Sequence, residues 1–153
     1  ELRAARDLAP DDGAIRAELG VAALLARRGE EGLHELEEAL SRIDESWLRG
    51  LYALALLEGG RPEEGAEHLF RAAQERPEDV ELQLLGALAF AEQGWEDEAW
   101  NAVARAEAAA EAMDRDLIRE VEEAVEAGPE EAGAFLREQL GPSLLRDRLS
   151  QRG

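Results

Sequence analysis

The chain has 153 residues and a formal net charge of −19, and its 17 basic residues are all Arg. That length allows one domain with a core, or a short array of small units; the charge repels nucleic-acid phosphates and anionic membrane surfaces, so neither is an expected partner. With no Cys, disulfide and thiolate chemistry are closed to it, and apolar runs such as Leu84–Ala91 fall far short of the roughly 18–20 residues of a membrane span.

In chain order, apolar periodicity and Gly/Pro punctuation predict helices at about 1–9, 12–28, 31–42, 46–58, 62–75, 78–93, 95–112, 115–127 and 130–140, with a short last helix at about 143–151 after Gly141-Pro142. The stretch 58–70, EGGRPEEGAEHLF, shows how the chain is punctuated. Gly59-Gly60 closes one helix, and Pro62 sits in the first turn of the next, where its missing N–H costs little. Acids follow, where the helix dipole favours them. The motif recurs as Gly128-Pro129-Glu130-Glu131 and, more loosely, as Gly29-Glu30-Glu31. Between these lies 78–93, rich in Ala and Leu and ended by Gly94; 95–111 then restarts with Ala99, Val103 and Ala106 on one helical face.

Gly60, Gly94 and Gly128 are 34 residues apart, and Gly65, Ala99 and Gly133 follow each by five. Ala72, Ala106 and Leu140 continue the step; Gly32 and Ala39 precede Gly65 and Ala72 by 33. A fixed period in this range marks stacked helical hairpins. On these residues the sequence resembles the tetratricopeptide repeat family. Leu19-Gly20, Gly32, Leu36 and Ala39 carry the likeness in a first unit, and Tyr52-Ala53, Gly60, Gly65, Leu69, Ala72 and Pro77 in a second. Leu85-Gly86 or Gly86-Ala87, then Gly94, Ala99, Val103 and Ala106 carry it in a third, and Gly128, Gly133 and Leu140 in a fourth. The first unit's turn glycine, Gly29, is displaced by two positions, and the fourth unit has no terminal Pro.

The resemblance implies an all-α fold, a right-handed α-solenoid of about four hairpins. It forms a single domain over 1–153: the end of a preceding unit at 1–10, units at 11–44, 45–77, 78–111 and 112–141, and a capping helix or tail at 142–153. In this family the first helix of each unit lines a concave face. Carried onto this chain, that face holds Val21 and Leu24, then Trp47, Leu51, Leu54 and Leu57, then Leu84 and Leu88, and turns polar in the fourth unit. Such a stripe suits an amphipathic helix or apolar peptide, with Trp47 as anchor. The same stripe at helical spacing is also what a buried core looks like. A grip on a C-terminal carboxylate is not expected, because the one Asn, Asn101, lies on a second helix.

Chemistry is poorly provided for. There is no Lys or Thr; Ser41, Ser46, Ser143 and Ser150 lie in no nucleophile elbow, and HELEE at 34–38 has Glu38 where a zinc protease needs its second His. His34 and His68 read as partly exposed filler, and Trp95 and Trp100 as packing residues. The expectation is a non-enzymatic scaffold for a protein or peptide, with no cofactor and no metal. The alternative is a homo-oligomerising assembly module. Residues 78–138 hold 18 acids against 4 Arg, while 140–153 hold three Arg against Asp147. That acidity reads as a solvated helix surface, or as an attractant for a basic partner or the chain's own tail. The chain starts at Glu1 with no visible signal peptide, as a processed product or fragment would. Its lack of Cys fits a reducing compartment, so a cytoplasmic location is expected. Its Ala/Arg/Glu bias fits a GC-rich bacterial source.

Overall fold

A computed structural model describes residues 16, 19–23, 28–42 and 46–144, with Ser46, Trp47 and Glu58 described by backbone alone. Leu24, the helix expected at 1–9 and all but the start of the one expected at 143–151 lie outside the described residues. Among those described, regular structure is helical and no strand occurs. After a helical stretch at 19–23 come α1 (Gly29–Leu40), α2 (Ser46–Glu58), α3 (Pro62–Glu75), α4 (Val80–Glu92), α5 (Glu96–Ala109), a 3₁₀ turn (Ala112–Asp114), α6 (Arg115–Ala127) and α7 (Pro129–Phe135). A π-helical turn, Leu136–Leu140, extends α7 and runs into a helical stretch at 141–144. No helix here is long and apolar enough to cross a membrane.

The bounds follow local chemistry. α4 starts at Val80 rather than 78 because the Asp79 carboxylate caps it, accepting from Leu82 N–H at 3.1 Å. α5 stops at Ala109, where Ala110 turns extended (ψ 143°). Glu111 and Asp114 then cap each other across the 3₁₀ turn. The helical stretch at 141–144 corrects the expected break at Gly141-Pro142. Proline lacks a donor, and its ring collides with the carbonyl four residues back. The wider π turn, closed by Gly141 N–H on Leu136 O, accommodates it.

Two hairpin turns share one geometry. Gly60 (φ 79°) and Gly94 (φ 82°) adopt the left-handed conformation that glycine tolerates. Gly60 N–H donates to Leu57 O (3.2 Å) and Arg61 N–H to Leu56 O (2.8 Å). Gly94 N–H donates to Ala91 O (3.0 Å) and Trp95 N–H to Phe90 O (2.8 Å). This pair of bonds is the Schellman closure of a helix end. Arg61 and Trp95 then begin the next helix, their carbonyls accepting from Gly65 and Ala99 N–H. Arg28 does both jobs as well, donating to Ala23 O (2.8 Å) and accepting from Gly32 N–H (3.0 Å). The first turn therefore lies at Arg28, and Gly29 is the first residue of α1 rather than a displaced turn glycine.

One apolar cluster runs from Val21 to Leu140. Small residues sit where helices cross closely: a Cβ on Gly65 would lie 2.9 Å from Ala53 O. α4 is the centre of the molecule, with Leu82 through Ala91 all buried. It packs against α3, α5, α6, α7 and, more lightly, α2, as a helix apolar on every side must. Its one polar interior group, Gln83, is 0% exposed and fully used. Nε2 donates to Ala73 O (2.8 Å) and Arg76 O (2.9 Å), carbonyls at the end of α3, and Oε1 accepts from Arg105 Nε (2.9 Å) on α5. Gln83 thus pins three helices together.

Candidate interaction surface

The first helices of the pairs, α2 and α4, carry most of the stripe expected to line a concave face. Val21, Leu51, Leu54 and Leu57 are 2%, 6%, 5% and 4% exposed, and Leu84 and Leu88 are fully buried. All six are core side chains of this chain and present no open groove, which corrects the expectation of an exposed stripe. Trp47 lies in α2, and the structure describes its backbone only.

Over Leu54 and one side of α4 the cover is the C-terminal segment, whereas Leu57 lies against Gly65 of α3. α7 and the π turn pack across α4, and a Cβ on Gly141 would stand 3.5 Å from Leu54 Cδ2. Leu136 and Leu140 are buried, and Leu144 packs against the same cluster. These three are spaced by four, so they share one face of a helical segment. A Cβ on Gly133 would meet the ends of the Glu92 and Arg137 side chains, so this glycine leaves room for their pairing. At the crossing, Arg137 Nη1 pairs with Glu92 Oε2 at 2.6 Å, their side chains 35% and 17% exposed. Among the described residues, Glu92 Oε1 is buried with no hydrogen-bond partner.

The 34-residue step aligns Gly133 with Gly65 and Ala99. The structure puts Ala132 there, its N–H donating to Gly128 O (3.0 Å). The turn at Gly128 is shorter: one residue (φ 130°, ψ 173°) ends α6 and begins α7. Spacing alone did not reveal this. The four-residue repeat of Leu136, Leu140 and Leu144 was the available signal that this segment has an apolar face to bury.

Much of the remaining described surface is polar and acidic, with Trp100 and Met113 as large exposed apolar residues. A hollow of about 500 Å³ between α6 and α7 is lined by Glu120, Glu123, Glu131 and Glu138 around Phe135. Burial raises the pKa of Glu122, as do its hydrogen bond to Glu107 and the nearby charges of Glu107 and Glu126. His68 is half-buried edge-on against the Tyr52 ring (5.0 Å), and burial, then Arg71, lowers its pKa. His34 is exposed. Trp95 stacks on Phe90 at 5.9 Å as a packing residue. Trp100, expected to do the same, is 38% exposed, because Ala99, Ala102, Val103 and Ala106 supply the inward face of α5. Among the described residues, no group of three or more His, Asp or Glu side chains has a geometry that holds a metal ion. No family model matches the chain, and no curated protein is significantly similar to it.

Proposed function

We propose that this protein is a non-enzymatic helical-repeat scaffold of tetratricopeptide type, a right-handed solenoid of about four hairpins that binds a partner helix across its first-helix face. The hairpin turns at Arg28, Arg61 and Trp95 support the architecture: they repeat one set of bonds at steps of 33 and 34 residues. The observation that carries the binding reading is that an amphipathic helix already lies across α4, namely the chain's own segment with Leu136, Leu140 and Leu144. Helix-in-groove recognition needs an apolar face of this kind and a ligand with anchors one turn apart. In this reading Leu54, Leu84 and Leu88 bury a helix rather than await one, and the partner is apolar or amphipathic.

The test is selection from a helical-peptide library with Leu fixed at i, i+4 and i+8 and other positions randomised, against immobilised full-length chain. Enrichment of peptides that compete with one another for one site supports the scaffold. No enrichment on chain that is helical by circular dichroism contradicts it. A second reading, homo-oligomerisation, draws on the exposed Trp100 and Met113, the latter 82% exposed. Light scattering behind size exclusion over about a hundredfold concentration range separates the two, since only assembly raises the mass.

A further inference from the structure

We infer that segment 129–144 is an exchangeable latch: an internal ligand that a partner helix bearing Leu at i, i+4 and i+8 and an Arg at i+1 displaces, with Glu92 as the group that reads the Arg. The inference rests on the binding reading above and names its ligand and its regulation.

The latch supplies the template. Leu136, Leu140 and Leu144 give the apolar spacing, and Arg137 is the residue after the first of them. Glu92 stands at the crossing on the last residue of α4, and Arg137 reaches it with one nitrogen on one oxygen. That leaves Oε1 buried without a hydrogen bond among the described residues. A carboxylate with one buried oxygen left unbonded is a penalty the closed state carries. A partner arginine presented side-on satisfies both oxygens at once, because the guanidinium fork matches a carboxylate. The closed contact is therefore a workable fit that a better-placed arginine improves.

The latch is also built to be weak as a helix. α7 is seven residues long, and the π turn that follows carries Pro142 just beyond it. A short helix interrupted by a π turn and a missing donor has little stability of its own. It is held by what it packs on. Gly128 alone joins it to α6, a single-residue pivot at a conformation where glycine bends freely. α4, by contrast, is enclosed on every side. A fixed end-cap would share the stability of that core; a latch opens below it.

Native-state hydrogen exchange on the full-length chain separates these. A latch lets the amides of 129–144 exchange through a partial opening, at least about tenfold faster than those of 82–91 and with a weaker denaturant dependence. Exchange of both stretches in one global transition overturns the latch, while the binding reading is decided separately by the peptide selection. The second arm uses Arg137→Glu, which sets two carboxylates against each other, and a fluorescein-labelled synthetic peptide of residues 129–148. The variant chain is expected to bind the peptide at least about tenfold more tightly than the unaltered chain, whose face is occupied. Adding Glu92→Arg to that variant is expected to abolish peptide binding, because the reversed ion pair recloses the latch and the peptide's arginine meets an arginine. If 129–144 opens yet the peptide does not bind the variant, the latch and the binding reading both fall. Should Arg137→Glu not fold, Leu140→Ala in the full chain takes its place, judged by the same peptide titration.

Discussion

The α4–α5 and α6–α7 hairpins begin from the same sequence step, a glycine every 34 residues, and end in different structures. Gly94 sits at φ 82° with a Schellman closure and three residues between α4 and α5. Gly128 sits at φ 130°, ψ 173°, and is the whole connection between α6 and α7. The helix after Gly128 starts one residue nearer its glycine than the helix after Gly94 does, so Ala132 takes the place that Ala99 has, and Gly133 is freed to pass Glu92. The first helices differ as well. α4 is buried on all faces, whereas α6 buries only Ile118, Val121, Ala124 and Val125. A sequence period shows that hairpins recur; the chemistry of each turn decides where the next helix goes. After Gly128 it goes onto α4.

The sharpest way to break this contrast is at the covered face. Leu54→Glu buries an unpaired carboxylate beneath Gly141, and is expected to cost at least about 3 kcal/mol in denaturant unfolding. Glu120→Ala, exposed on α6, is expected to stay within about 0.5 kcal/mol. Equal effects at the two positions would show that Leu54 is not covered. Next in size is Gln83→Ala, which strands Arg105 and the Ala73 and Arg76 carbonyls and is expected to cost about 1–3 kcal/mol.

The two turn glycines sharpen the comparison directly. Gly94→Ala forces an alanine into the left-handed region with open space around it, at about 1–2 kcal/mol. Gly128→Ala enters a region that is essentially glycine-only, and is expected to cost more, about 2–3 kcal/mol, measured by the same unfolding midpoints. The reverse order would mean that the Gly128 turn relaxes. The smallest effect concerns pH. Because the folded pKa of Glu122 is raised, the native state holds its proton more tightly than the unfolded chain. Its contribution to stability is full below the ordinary carboxylate pKa and is lost as pH rises through the raised value. Glu122→Gln is therefore expected to raise Tm by about 1 °C at pH 7, and to leave it unchanged near pH 4.

Much of this was readable from residue patterns. α2, α3 and α6 have the bounds that Gly59-Gly60, Pro62 and Gly128 predict, because stop and start chemistry is local. Asp79 shifted the start of α4 by the ordinary logic of a side-chain cap. The stripe on α2 and α4 was legible as apolar, but its occupant was not. A face that binds a foreign helix and one that buries the chain's own helix need the same Leu spacing, so only the three-dimensional path of 129–144 separates them. The run LLGALAFA, apolar on every side, was the hint that α4 lies inside. Gln83 gave no sequence signal, since its partners are backbone carbonyls on another helix and a distant Arg.

Closure of the face in cis is tested most directly by a covalent trap, which the absence of native Cys makes unambiguous. In the double variant Glu92→Cys/Gly133→Cys, the two thiols replace the close approach of α7 to α4. Mild oxidation of dilute chain is expected to give a monomer of two hydrogens less mass, with both thiols blocked to alkylation. Thiols that stay free in the folded chain, or a disulfide that forms only between two chains, would contradict the closed arrangement.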